Sequence, residues 1–393
     1  MTSSQVDDQS PHPDHPRQTL WLDVTRRNPA DTEVDAATLA VRIGDRVAQA
    51  AALLRAGKLV AFPTETVYGL GADATNAEAV MSIFAAKGRP FSDPLIVHIP
   101  DVSWLARVAR DVPPLVVAVA ARFWPGPLTL VLPRAEGIPP VVAAGGATVG
   151  VRAPSHPIAQ QLLWLADTPV AAPSANRFMG VSPTTAQHVF ADLDGRIDAI
   201  LDGGPTSVGV ESTVVDLTRQ PPRILRPGGV TLEALREVIP DIQGPAPTPG
   251  PAPAGGRGEL ELGGGEALRA PGQLARHYAP QTRLLVFDAA GEWGRAAVMA
   301  AARRALAGGE RVGALATDDE APALEALGAQ VARLGPADDL ATVASRLYAA
   351  LRALDDGQVD VIVAHTFGQA GMGLALWDRL RRAAGGRLQP VEE

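Results

Sequence analysis

Between Pro240 and Gly258, 11 of 19 residues are Pro or Gly. No helix or central strand runs through such a stretch, because Pro fixes φ and lacks an amide hydrogen while Gly loses the most backbone freedom on ordering. Whatever precedes and follows it must therefore bury its apolar residues around separate cores. Its middle, Pro245-Ala-Pro-Thr-Pro-Gly-Pro-Ala-Pro253, reads as a spacer stiffened by Pro and interrupted by Gly. A length of 393 residues, 46% of them hydrophobic, leaves room for a domain on each side.

Upstream, residues 1–34 have few apolar anchors and are expected as a loose tail. A helical pattern covers 36–56, stops at Gly57 and leads into the buried-strand run Lys58-Leu-Val-Ala-Phe62. Further helices are expected over 77–86, 156–166, 185–193 and 231–239. Strands are expected over 94–99, 128–132, 148–153, 170–172, 198–201, 213–217 and 223–225. Strands outnumber the helices between them, which predicts a curved, mixed sheet. Residues 283–384 alternate strand and helix regularly, the pattern of a small parallel, Rossmann-like α/β domain. The expected organisation is thus α/β throughout: a tail over 1–34, a first domain over 35–240, a linker over 241–281 and a second domain over 282–386.

The chain has no cysteine, so disulfides, thiolate metal sites and a cysteine nucleophile are excluded. Its formal charge of -8 argues against nonspecific coating of nucleic acid. No apolar run approaches the roughly 18 to 20 residues of a spanning helix, and the polar start carries no signal-peptide pattern, so the expected compartment is the cytoplasm, with no membrane partner.

Five polar islands sit at the ends of apolar runs: Pro63-Thr-Glu-Thr66, Lys87-Gly-Arg-Pro90, Pro173-Ser-Ala-Asn176, Glu211-Ser-Thr213 and Leu225-Arg-Pro-Gly-Gly229. Residues just beyond strand ends line the ligand crevice of α/β folds, and these carry mostly cations, hydroxyls and an amide. Residues 58–239 hold 14 Lys+Arg against 16 Asp+Glu, so cations gathered in loops point to a local anion site rather than a basic face. Each island also has a plain structural reading. Lys87 and Arg89 suit a helix C-terminus as well as a phosphate clamp. Ser174 and Asn176 suit a turn as well as a nucleotide or its metal, and His98 suits a satisfied core position. Arg152, on a strand, wants an anion. Asp192, Asp194, Asp198 and Asp202 lack calcium-loop spacing and read as capping or solvated carboxylates. Gly368-Gln-Ala-Gly-Met-Gly373 lacks the Lys and Ser/Thr of a P-loop and reads as a turn before the last helix.

Taken in order, Pro63-Thr-Glu-Thr-Val-Tyr-Gly-Leu-Gly-Ala-Asp73, Lys87 to Pro90, Pro94-Leu-Ile-Val-His98, Phe123-Trp-Pro-Gly-Pro-Leu-Thr129, 149–157, Ala171-Ala-Pro-Ser-Ala-Asn176, Gly209-Val-Glu-Ser-Thr-Val-Val-Asp216 and Ile224 to Gly229 closely resemble the YrdC-type threonylcarbamoyl-AMP synthases. Arg276-His-Tyr-Ala-Pro280 and the α/β pattern after it resemble the longer, two-domain form. The resemblance implies that L-threonine, bicarbonate or CO2, and ATP with Mg²⁺ give threonylcarbamoyl-adenylate and pyrophosphate. A partner transferase complex then modifies tRNA, and any contact of this chain with tRNA itself is weak. By motif, Lys87, Arg89, Ser174 and Asn176 fall on the catalytic signature around ATP and its metal, whose protein ligands the motifs leave unknown. Asp93, Thr148, Ser182, Arg226, His277 and Tyr278 fall on further ATP contacts. Thr66, His98, Arg152, Ala172 and Ser212 fall on the L-threonine pocket. Asp93 stands where the family commonly has Asn, and Pro271 to Tyr278 lacks the Lys and first Tyr often found there. Two rival readings are an RNA-binding module without catalysis and a carbamoyl-transfer enzyme of hydrogenase maturation. The second carries zinc fingers that a cysteine-free chain cannot form.

Overall fold

In the computed structural model, residues 18–25, 36–246, 269–272 and 274–391 are described. The first domain is built on a ten-stranded sheet of β1 (Leu20–Asp23), β2 (Val60–Phe62), β3 (Gly69–Asp73), β4 (Ile96–His98), β5 (Leu128–Pro133), β6 (Thr148–Arg152), β7 (Val170–Ala171), β8 (Ala199–Asp202), β9 (Thr213–Asp216) and β10 (Arg223–Arg226). Their order is β1-β8-β2-β3-β7-β4-β6-β5-β9-β10. Parallel pairs such as β4 with β6 are interspersed with antiparallel pairs such as β5 with β6, giving the mixed sheet that the pattern predicts. The second sheet is wholly parallel: β11 (Arg283–Phe287), β12 (Val312–Ala316), β13 (Gln330–Arg333), β14 (Val361–His365) and β15 (Leu388–Gln389), in the order β13-β12-β14-β11-β15. Among the described residues no helix is long and apolar enough to cross a membrane.

The loose tail expected over 1–34 is corrected at its described part. Residues 20–23 form β1 and extend the sheet by pairing in parallel with β8. Four residues are too few for periodicity to single out, and Leu22 finds cover only once β8 is in place. The rest of that tail and residues 247–268 of the expected linker lie outside the described residues. Strand β3 is also absent from the pattern, because Gly69 and Gly71 read as turn residues. A Cβ on Gly71 would lie 2.9 Å from both Phe62 and Val170, so the close approach of neighbouring strands is what requires glycine.

Local signals set the helix that delivers the first cations. Asn76 caps the helix Ala77–Lys87 by accepting from the amides of Glu78 and Ala79, and Gly88 ends it with φ 65°. Lys87 is thereby the last helical residue, and Arg89 emerges just beyond it. Beneath the site lies an apolar core that includes Leu70, Val97, Leu130 and Val151. A different cluster joins the domains, packing Val67, Val181, Val210 and Tyr278 against Leu315, Leu347, Tyr348, Leu376 and Leu380. Contact there is close. A Cβ on Gly209, whose φ is 75°, would lie 2.4 Å from the Ser345 backbone.

Candidate active site

The islands converge on a cavity of about 50 Å³ whose wall includes Thr66, Arg89, His98, Arg152, Ser174, Ser212 and Arg226. One end presents groups suited to an amino acid. Arg152, at the end of β6, donates from Nη1 to Thr66 Oγ1 at 2.8 Å, and its Nη2 lies 2.7 Å from Glu65 Oε1. Glu65 is fixed in turn by accepting the Ser155 amide at 3.1 Å. His98 ends β4 beside Arg152 in register. Burial, and then the positive charge of Arg152, push its pKa down to about 3. The neutral ring stands edge-on to Phe62 at 5.9 Å, and its Nδ1 has no hydrogen-bond partner. Ser212 Oγ lies 2.8 Å from Thr129 Oγ1. A fork for a carboxylate, a neutral imidazole and hydroxyls thus face one space, a set able to bind a carboxylate and an alcohol together.

The other end gathers cations. Lys87 is buried, and its Nζ donates to the Ser174 carbonyl at 2.6 Å and to the Asn176 carbonyl. Burial first and the neighbouring Arg89 second lower its pKa well below the usual value, a strain that an incoming anion would relieve. Its partners are carbonyls of another loop rather than those of its own helix, so Lys87 does more than complement a helix end. Arg89 lines the cavity, donates from Nη2 to the Pro94 carbonyl at 2.9 Å and pairs with Asp93 at 2.9 Å. Ser174 Oγ donates to Asn176 Oδ1 at 2.6 Å. Arg226 is held by the Ser212 carbonyl at 2.9 Å from Nη2 and by the Pro271 carbonyl at 3.2 Å from Nη1.

Ala172, His277 and Tyr278 also line the cavity, and Pro271 and Gly272 complete its cover. The His277 and Tyr278 rings stand edge to face at 4.1 Å. Five expected residues do not reach the wall. Lys87 and Asn176 act behind Ser174, Asp93 is turned onto Arg89, Ser182 donates to Glu211 Oε1 at 2.6 Å, and Thr148 begins β6 opposite Pro133. Of the four aspartates read as capping or solvated carboxylates, Asp198 accepts the Leu59 amide at 2.8 Å and Asp202 the Gly204 amide at 3.0 Å, whereas Asp192 is instead paired with Arg352 of the second domain at 2.6 Å.

Glu211 was given no role by the sequence, although it stands in an island beside Ser212. It lines the cavity and accepts from Tyr348 at 2.9 Å and from Arg379 Nε at 2.6 Å, both in the second domain. Burial would raise its pKa, but Arg379, Arg226 and the Ser182 hydroxyl hold it down to about 2. No local signal announces those partners, which lie 137 and 168 residues away.

Known proteins resemble the chain along both domains. A family model described as "Telomere recombination" matches residues 52–228, and one described as "Threonylcarbamoyl-AMP synthase, C-terminal domain" matches 230–385. A threonylcarbamoyl-AMP synthase of Bacillus subtilis is 44% identical over 87% of this chain and 94% of its own length. The chain belongs to the threonylcarbamoyl-AMP synthase family. Another member, from Pyrococcus abyssi, is 41% identical over 90% of this chain and all of its own length. The crystal structure of P. abyssi Sua5 complexed with L-threonine superposes with a TM-score of 0.81 at 40% identity, covering 95% of this chain and 100% of that one. The family thus spans both domains, including the helix that carries Arg379.

Proposed function

We propose that this chain is a threonylcarbamoyl-AMP synthase, joining L-threonine, bicarbonate or CO2, and ATP into threonylcarbamoyl-adenylate and pyrophosphate. This would be the first step towards N6-threonylcarbamoyladenosine in tRNA, completed by a separate transferase complex, in the cytoplasm. The observation that carries the reading is the juxtaposition, in one cavity, of Arg152, Thr66, His98 and Ser212 with Arg89, Ser174 and Arg226. The first group suits the carboxylate and hydroxyl of L-threonine, and a site that hydrogen-bonds a hydroxyl rejects analogues lacking it. The second suits the phosphates of a nucleotide.

The neutral amine of L-threonine adds to the carbon of CO2 and gives up a proton to solvent, leaving a carbamate whose oxygen attacks the α-phosphorus. A P–O bond forms there, the bond to the β-phosphate oxygen breaks, and pyrophosphate leaves with the electron pair. The carbamate is already an oxyanion, so the chain's own groups need only align it and neutralise charge developing on phosphate. Lys87, Arg89 and Arg226 supply that charge. Mg²⁺, when bound, neutralises phosphate oxygens. The hydroxyl of Ser174, on the wall, is a hard donor of the kind Mg²⁺ accepts, and the side-chain oxygen of Asn176 behind it holds that hydroxyl. Among the described residues no three His, Asp or Glu side chains cluster as a cage, so the donor set suits an ion delivered by ATP. A cavity of about 50 Å³ is far below the roughly 300 Å³ lower end for ligand pockets, so the cover formed by Pro271, Gly272, His277 and Tyr278 must lift for ATP to enter.

The test is pyrophosphate release from ATP and Mg²⁺, omitting L-threonine and bicarbonate in turn. Release that needs both supports the synthase. Release needing neither would overturn it in favour of nucleotide hydrolysis. The RNA-binding module is not favoured, because the polar groups line one small cavity rather than spread over a face.

A further inference from the structure

The second domain reaches the site through Tyr348, on the helix Leu340–Leu354, and more extensively through the helix Met372–Ala383. The first turn of the latter is met by Glu233 of the first domain, whose Oε1 accepts the Gly371 amide at 3.3 Å. Arg379, midway along, is 1% exposed. It touches three separate pieces of the site. Nε donates to Glu211 Oε2 at 2.6 Å, on the loop that carries Ser212. Nη2 donates to the Pro227 carbonyl at 2.9 Å, immediately after Arg226. The guanidinium lies 5.2 Å from the centre of the Tyr278 ring, in the cover. Asp378 holds Arg379 Nη1 at 2.6 Å and also pairs with Arg382 at 2.9 Å. Arg382 grips the cover itself, donating to the Leu274 carbonyl at 2.6 Å and accepting the His277 amide at 3.3 Å.

We propose that Arg379 is a positioning residue that couples the cover to the substrate-facing loops, so that residues 274–278 close only when Ser212 and Arg226 are in register. It does not line the cavity and acts through Glu211, Pro227 and Tyr278. Only a planar fork can satisfy a carboxylate, a carbonyl and a ring face at once; a lysine supplies the charge but not the second bond. A charge serving only to neutralise Glu211 would not need that geometry. This inference rests on the proposed synthase reaction for its kinetic consequence and on structure alone for the state of the cover.

The experiment compares the full chain with Arg379→Lys, Arg379→Met and Arg379→Met combined with Glu211→Gln, the last avoiding a stranded buried carboxylate. Trypsin cleavage after the exposed Arg276, followed by mass spectrometry of the fragment starting at His277, reads the cover without any turnover. Pyrophosphate release reads kcat and KM. Arg379→Lys is expected to melt within a few degrees of the parent, to be cut after Arg276 at least 10-fold faster, and to lose about 30-fold in kcat/KM for L-threonine. The double variant should be cut faster still. Parental cleavage and parental kcat/KM in Arg379→Lys would overturn the proposal by reducing Arg379 to a counter-charge, as would a folded double variant with a parental cleavage rate. Faster cleavage in a chain whose parent makes no threonylcarbamoyl-adenylate would uphold the coupling while refuting the proposed reaction.

Discussion

Lowering the pH from 7 to 5 should remove about 2 kcal/mol of folding stability through His98 alone. The ring is 4% exposed, and burial together with Arg152 depresses its pKa from 6.5 to about 3. In the unfolded chain the imidazole takes up a proton below about pH 6.5, whereas the native ring stays neutral until about pH 3. The sign follows: the unfolded state binds more protons in that window, so stability falls as pH drops through it and is insensitive to this group above about pH 7. At pH 5 the unfolded group sits one and a half units below its pKa, and each unit is worth about 1.4 kcal/mol. Urea unfolding at pH 7, 6 and 5 would measure the loss in the parent and in His98→Asn, which cannot titrate. Buried His277, with its pKa lowered by burial and by Arg89, and His188, lowered to about 4, contribute to both chains. The difference between the two pH dependences therefore isolates His98. Parallel curves, whatever their offset, would refute a buried neutral histidine at this position.

Three further outcomes are expected. Arg152→Lys should raise the KM for L-threonine about 30-fold while leaving that for ATP within about 3-fold, since a lysine cannot hold Thr66 and a substrate carboxylate as a fork does; equal effects on both substrates would place Arg152 elsewhere in the reaction. Lys87→Met should slow pyrophosphate release by about 100-fold or more, the scale of losing one preorganised charge donor, with a melting temperature no lower than the parent's; near-parental turnover would remove Lys87 from the phosphate clamp. Gly228→Ala would set a Cβ 2.2 Å from the Glu211 carbonyl oxygen and 2.5 Å from the Thr213 amide nitrogen. Because all of these neighbours are backbone, calorimetry should find a loss of roughly 1 to 3 kcal/mol, and an unchanged melt would show that the loop has room to move.

Sequence alone determined the elements whose causes are local. Asn76 and Gly88 bound the helix that presents Lys87, the apolar runs ending at Phe62, Ile99 and Ala153 became β2, β4 and β6, and the regular alternation after residue 283 became the parallel sheet. Those capping and periodicity signals act within a few residues, so they survive in the linear text. Thr66, His98, Arg152 and Ser212 were also legible as a group, through family-like motifs rather than through spacing. What tertiary structure decided depends on residues far apart in the chain. Strand β1 exists because β8 offers an edge, and β3 tolerates two glycines because Phe62 and Val170 press against it. His98 is neutral because of burial beside Arg152, and Lys87 turns from its own helix to the carbonyls of Ser174 and Asn176. Glu211 stays ionised within the wall because Arg379 arrives from a domain more than a hundred residues away to join Arg226 and the Ser182 hydroxyl. Charge state and closure are properties of packing and dielectric, and only the folded chain brings those groups within reach of one another.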